Sequence, residues 1–309
     1  MLFELFGVFF IIFIVYRILE ILYNILGIYV FRKPINLHEK AGASWAVVTG
    51  STDGIGKGYA FELAARGFNV FLVSRTQSKL DKTSQEILQE HPGIQVKTVA
   101  FDFKTSSPKD YKDLLEVLNK EDIGILVNNV GVFHDHPDEL HKVGVDWLAD
   151  MVVVDTLPPT LMTAGILPQM LKRNMGIIVN VGSTAGSIHL PLLSAYSASK
   201  KYVEWLTANI SKEYKNTNII FQNIAPLMVA TKMAKIKTSS FFVPDPFEFA
   251  KSALNTIGYA AQTTGYITHQ LQYEGICLLP EVVLDWIVTK RNVESREAIL
   301  ASRANKKRE

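Results

Sequence analysis

The stretch Trp45-Ala46-Val47-Val48-Thr49-Gly50-Ser51-Thr52-Asp53-Gly54-Ile55-Gly56 decides the fold. A short apolar run ends in a glycine-rich turn, and a helical pattern, Gly56–Arg66, follows at once. Gly50 permits the turn, Gly54 lets backbone approach a pyrophosphate, and Gly56 allows close packing of the helix. The helix amino terminus then offers free N–H groups to phosphate. Ser51, Thr52 and Ile55 complete the loop and join the three glycines as nucleotide-binding candidates. Any tight turn uses glycines, so the weight rests on the strand before them and the helix after.

The same alternation continues outward. Val70–Val73, Val96–Phe101, Ile123–Val127, Ile177–Val181 and Ile219–Ile224 read as short buried strands. Helical stretches such as Lys201–Tyr214 lie between them. This order predicts an α/β fold, a Rossmann-type doubly wound parallel sheet with right-handed crossovers and both faces covered. No repeat or low-complexity linker divides residues 43–270, which read as one doubly wound, nucleotide-binding domain. The second strand ends in Ser74-Arg75, where an acidic residue would accept from a ribose 2′-hydroxyl. Arginine grips a 2′-phosphate instead, so these residues predict NADP(H).

Tyr196-Ser197-Ala198-Ser199-Lys200 opens the helix after the fifth strand. Residues four apart share a helix face, which sets Lys200 beside Tyr196. A phenol with a pKa near 10 is a poor acid–base group at neutral pH until an ammonium stabilises its phenolate. Ser183 ends the fifth strand, within reach of the same substrate oxygen. Taken singly, a Tyr-x-x-x-Lys pair is common on helix surfaces.

Together these motifs resemble the short-chain dehydrogenase/reductase family over about residues 43–270. Thr49, Gly50, Gly54 and Gly56 match its nucleotide motif, and Ser183, Tyr196 and Lys200 match its catalytic serine, tyrosine and lysine. Asn128-Asn129-Val130-Gly131 resembles the family's Asn-Asn-Ala-Gly segment. The resemblance implies that Asp102 contacts adenine and that Val229 and Thr231 hold the nicotinamide carboxamide and phosphate. The family's fourth catalytic residue is an asparagine, and the matching position here holds Asp155. Its side chain accepts only, or is a carboxylic acid, which alters any proton relay to Lys200. Pro226-Leu227 replaces the usual Pro-Gly. The wording of three segments resembles the membrane-bound branch of very-long-chain 3-oxoacyl-CoA reductases and 17β-hydroxysteroid dehydrogenases, nematode members included. That implies reduction of a lipid ketone with NADPH at the endoplasmic reticulum, in fatty acid elongation or steroid biosynthesis. A membrane-tethered NADP(H)-binding scaffold with little catalysis is the competing reading, and the resemblance also allows a homodimer.

The ends of the chain differ from this middle. Residues 1–33 are almost wholly apolar and read as an uncleaved membrane anchor. Its first dozen residues reach only about 18 Å as a helix, short of the roughly 30 Å hydrocarbon core. A full span would carry Arg17 at its centre, at a cost of about 2.5–3.5 kcal/mol, offset in part by Glu20 on the same face. Arg32, Lys33 and Lys40 flank the segment, so the rest of the chain is expected in the cytosol. Within residues 271–309, an apolar and amphipathic segment, Ile276–Val288, is interrupted by Pro280, Glu281 and Asp285 and is expected to be an interfacial helix beside the active-site mouth. A basic tail follows, and Lys306-Lys307-Arg308-Glu309 resembles a di-lysine retrieval signal. The stretch with Phe241, Phe242 and Phe247 is rich in aromatics, and the family resemblance implies that it forms the cover over the substrate.

Composition removes other classes. The 309 residues are 48% hydrophobic with a net charge of +2, so no positive field exists to hold nucleic acid. The single cysteine, Cys277, excludes an intrachain disulfide and a cysteine-based zinc site. His134, Asp135, His136, Asp138 and His141 lack the fixed spacing of a metal site, and no metal is expected. The sequon Asn209-Ile210-Ser211 falls mid-helix on the expected cytosolic side.

Overall fold

The computed structural model describes residues 2–105 and 107–306. Helix α1 (Leu2–Leu22) continues as a π-helical segment, Tyr23–Phe31, and the short α2 (Leu37–Ala41) leads into the sheet. β1 (Trp45–Thr49), α3 (Gly54–Ala65), β2 (Asn69–Ser74), α4 (Gln77–Glu90) and β3 (Val96–Ala100) make the first half. The second half holds α5 (Pro108–Leu118), β4 (Ile123–Asn128), α6 (Val145–Arg173), β5 (Gly176–Val181), α7 (Ser194–Glu213) and β6 (Ile219–Ile224). α8 (Pro246–Asn255), β7 (Gln262–Thr263), α9 (Ile267–Cys277) and α10 (Glu281–Lys306) complete the chain.

All strands pair in parallel, in the order β3-β2-β1-β4-β5-β6-β7. Successive side chains of a strand point to opposite faces. Ala46 and Val48 therefore enter one core, with Tyr59 and Leu63 of α3, Leu80 of α4 and Phe249 of α8. Trp45 and Val47 enter the other, with Tyr111 of α5, Met162 and Ile166 of α6, and Ile210 of α7. Burial on both faces is why β1, β2, β4, β5 and β6 read as near-continuous apolar runs. Strand order reverses between β1 and β4, which opens a crevice outside their carboxyl ends.

Two helices are long and apolar enough to cross a membrane among the described residues. α6 is one, but half of its most apolar window is buried, and Val154, Met162 and Met170 face the second core. It is a core helix. The other is the amino-terminal helix, exposed from Phe3 to Tyr16. Arg17 Nη1 pairs with Glu20 Oε2 at 2.5 Å, as the spacing predicts.

Beyond Arg17 the helix docks on the domain. Ile28 is buried, Asn24 Nδ2 donates to Glu274 Oε1 at 2.9 Å, and the Tyr29 hydroxyl lies 2.5 Å from Thr263 Oγ1. A cavity of about 260 Å³ remains at this junction, lined by Arg17, Glu20, Asn24, Gln270, Tyr273 and Glu274.

The carboxyl-terminal segment departs from expectation. Ile276–Val288 is not one helix: α9 ends at Cys277, and α10 starts at Glu281, directly after Pro280. Proline fixes its own φ and disfavours the helical region for the residue before it, so the break falls there. The expected boundary at residue 270 lies inside α9. Residues 307–309 of the basic tail lie outside the described residues.

Candidate active site

The last residues of β1, β4 and β5 hold one another. Thr49 Oγ1 accepts from the backbone N–H of Asn129 at 2.9 Å and of Val130 at 3.1 Å. Asn129 Nδ2 returns a hydrogen bond to Thr49 O at 3.0 Å. Below them Asn128 Nδ2 donates to Asn180 Oδ1, and Asn180 Nδ2 to Thr207 Oγ1, both at 2.8 Å. Buried amides joined in this way make the floor of the crevice rigid.

The nucleotide candidates meet above that floor. Gly50 and Gly54 have φ of 65° and 52°, the left-handed region where a side chain is strained. A Cβ on Gly56 would lie 2.3 Å from both Asn129 Nδ2 and Gly50 O. Asp53 caps α3 by accepting from Gly54 N at 2.9 Å, and Ile55 packs on the first core. Ser51 is fully buried, and its hydroxyl has no hydrogen-bond partner among the described residues. Thr52 Oγ1 lies 3.0 Å from Ser74 Oγ, tying the loop to β2, and Arg75 is exposed just beyond. Asp102 is exposed after β3 and accepts from Lys104 N at 3.1 Å. Val229 is buried, and the Thr231 methyl lies 3.1 Å from where a Gly54 Cβ would stand. Four strand ends therefore converge on one crevice. A cradle that a Cβ would fill, an orphaned buried hydroxyl and a helix amino terminus fit the phosphates of a dinucleotide.

Tyr196 and Lys200 lie in the opening turns of α7, with Lys200 Nζ 5.5 Å from the centre of the tyrosine ring. Phe133 meets that ring edge-on at 4.7 Å. Ser183 ends the turn after β5, its Oγ accepting from Ala185 N at 3.1 Å and lying 3.5 Å from Pro226 O. Burial pushes the Tyr196 phenol up. The Lys200 ammonium pulls the other way, Asp155 adds to the rise, the Ser183 hydroxyl opposes it, and the net position is above the ordinary range. Lysine alone was expected to lower this pKa. Burial of the phenol is the main reason that it does not prevail, and the Asp155 carboxylate adds to it.

Asp155 comes from α6. Its Oδ1 accepts from Val132 N at 2.9 Å, its Oδ2 from Ser199 Oγ at 2.8 Å, and Lys200 Nζ lies 3.7 Å from Oδ2. Burial pulls the Lys200 ammonium down, but Asp155 and Tyr196 outweigh it and hold its pKa above the usual value.

Two features escaped the sequence. His269 of α9 is fully buried, with Nδ1 3.3 Å from Leu227 N and Nε2 3.0 Å from Met228 O. Burial pushes its pKa down to about 4, against the pull of the Met228 and Phe242 carbonyls. The neutral ring thus accepts on Nδ1 and donates from Nε2, pinning the loop that leads to Val229 and Thr231. A lone histidine on a helix carries no motif, so only its neighbours in space betray it. The second feature is α10, which crosses the loops beside Tyr196. Arg296 Nη2 pairs with Asp138 Oδ1 at 2.9 Å, Asn292 Nδ2 donates to Pro191 O at 2.8 Å, and Arg303 pairs with Asp135. Asp135 and Asp138 thus serve ion pairs with α10. The metal-like grouping among the described residues is instead His189, from the loop before α7, with Glu281 and Asp285 at the start of α10.

Comparison with known proteins agrees with this geometry. The short chain dehydrogenase family matches residues 44–240. The chain is 60% identical over 279 residues to "Very-long-chain 3-oxooacyl-coA reductase let-767" of Caenorhabditis briggsae, covering 90% of this chain and 88% of that protein. It is 59% identical over 285 residues to "Putative steroid dehydrogenase 1" of Caenorhabditis elegans, covering 92% and 90%. A short-chain dehydrogenase from Sphingobium yanoikuyae in complex with NADPH superimposes with a TM-score of 0.62 at 27% identity, covering 68% of this chain and 82% of that one. With its nucleotide crevice and its Tyr196–Lys200 pair in one parallel sheet, the chain belongs to the short-chain dehydrogenase family of oxidoreductases.

Proposed function

We propose that this oxidoreductase reduces a ketone on an apolar lipid substrate to a secondary alcohol with NADPH, at the endoplasmic reticulum membrane with its catalytic domain in the cytosol. The observation that carries the reading is the convergence of Ser183, Tyr196 and Lys200 at the carboxyl end of β5, beside the nucleotide crevice.

Gly50, Ser51, Thr52, Gly54, Ile55 and Gly56 cradle the phosphates. Ser74 and Arg75 meet a 2′-phosphate, Asp102 the adenine, and Asn129, Val229 and Thr231 the nicotinamide side. Bound NADPH supplies the hydride. Ser183 hydrogen-bonds the substrate oxygen, and Tyr196 passes its proton to the alkoxide that forms there. Lys200 stabilises the phenolate left behind and holds the ribose hydroxyls. The exposed Phe241 and Phe242 and the anchor offer an apolar approach for a substrate from the bilayer.

Both an acyl-CoA reductase and a steroid dehydrogenase stand among the relatives. The test is NADPH oxidation by detergent-purified protein offered a long-chain 3-oxoacyl-CoA and a 17-ketosteroid. Preference for the first places the enzyme in fatty acid elongation, and preference for the second in steroid metabolism. Tyr196→Phe should lower turnover by about 10²–10⁴-fold while NADPH still binds. Appreciable turnover in that variant sinks the assignment.

A further inference from the structure

Asp155 stands where the family has asparagine, and its surroundings give the exchange a consequence. Its side chain is 0% exposed and that of Lys200 is 7% exposed, with 3.7 Å between Oδ2 and Nζ. Gly131 closes over the pair, since a Cβ there would lie 3.1 Å from both Asp155 Oδ1 and Lys200 Nζ. Val132 N and Ser199 Oγ satisfy both carboxylate oxygens, so the charge is held in place. In so dry a setting an opposite charge at this distance cancels much of the field of an ammonium.

The other groups facing Tyr196 do not replace that charge. Ser183 is neutral, and Phe133 offers only its ring edge. His134, buried on the loop after β4, is kept towards its neutral form by burial and by His136, with Asp155 opposing. Among the described residues, Lys200 and Asp155 are the charged groups acting on the phenol.

We propose that Asp155 is the fixed counter-ion of Lys200, and that it limits how far the ammonium favours the phenolate of Tyr196. Asp155 is thus a positioning residue that acts through Lys200. Tyr196 stays a proton donor to higher pH than asparagine at 155 would allow. The inference rests on the reductase reading only in direction. In ketone reduction the carbonyl carbon gains the hydride, the oxygen takes the phenolic proton, and solvent reprotonates the phenolate before the next turnover. Asp155 neither gains nor loses a proton in that sequence. Its place is to keep the donor form populated.

The test compares full-length wild type with Asp155→Asn. Asparagine keeps an acceptor for Val132 N and presents an amide donor to Ser199 Oγ, so only the charge changes. The basic limb of kcat/KM for ketone reduction should move to lower pH by roughly a unit or more. Ser199→Ala, which retains the carboxylate, serves as the structural control and should leave that limb close to the wild-type position. An unmoved limb in Asp155→Asn, or equal movement in both variants, overturns the proposal. Ultraviolet titration of tyrosinate, taken as the difference between wild type and Tyr196→Phe, reads the same group without turnover. A wild-type Tyr196 that titrates below the ordinary phenol value also overturns it. Wild type that reduces no ketone refutes the reductase reading, and the titration then still decides this one.

Discussion

Ion pairs hold both α7 and α10 in place, yet the two helices stand on opposite sides of a physical divide. Lys200 of α7 meets Asp155 where water is excluded. α10 rests on the loops beside the site through more exposed pairs, among them Arg296 with Asp138 and Glu139, and Arg303 with Asp135. Its apolar side chains do not enter either core, and Val282 and Trp286 are 81% and 64% exposed. Charges in water attract weakly and are screened by salt, whereas a buried pair is barely screened and is costly to break. One type of contact therefore fixes the geometry of the candidate site in one place and loosely straps a helix beside it in the other.

The largest effect should come from breaking the buried pair on its lysine side. Lys200→Met leaves a carboxylate uncompensated and should cost about 3–5 kcal/mol of stability, besides turnover. Denaturant unfolding of purified protein measures it, and adding Asp155→Leu should recover much of the loss. Recovery that fails would mean that packing, not charge, holds the site.

His269 comes next, as a buried polar group that works without charge. His269→Phe leaves Leu227 N and Met228 O unpaired and should weaken NADPH binding roughly tenfold, whereas His269→Gln restores most of it. Its folded pKa of about 4 lies below the unfolded value of 6.5. The stability it contributes is complete above pH 6.5 and is lost as pH falls through 4, about 3 kcal/mol at most. Acid unfolding of His269→Gln should therefore show a shallower loss over that window.

The smallest effect belongs to the strap. Arg303→Ala, which removes the most exposed of these pairs, should change global stability by no more than about 1 kcal/mol. Hydrogen exchange should sharpen the contrast: raising salt should speed exchange in α10 and leave α7 unchanged. Equal sensitivity in both helices would erase the distinction.

Local pattern carried much of this molecule. The apolar run before Thr49 marks a doubly buried strand, because a parallel sheet covered on both faces needs no polar alternation. Gly50, Gly54 and Gly56 are legible because their backbone angles and close packing exclude a side chain. Tyr196 and Lys200 are legible because helical spacing alone sets them on one face. Where the outcome depended on residues far apart in the chain, the sequence was silent. Asp155 reads as a departure from a motif, and only the crossing of α6 over α7 brings its carboxylate to Lys200. His269 has no local signature, because its partners are backbone groups some forty residues away. The apolar amino terminus is plain from composition, but its docking through Asn24 and Tyr29 depends on α9 and β7 lying beneath it. Periodicity and turn chemistry are properties of neighbouring residues, so the sequence by itself determined the strands, the glycine-rich turn and the helix that carries Tyr196 and Lys200. The strength of a charge depends on what surrounds it, and only the tertiary structure decided that.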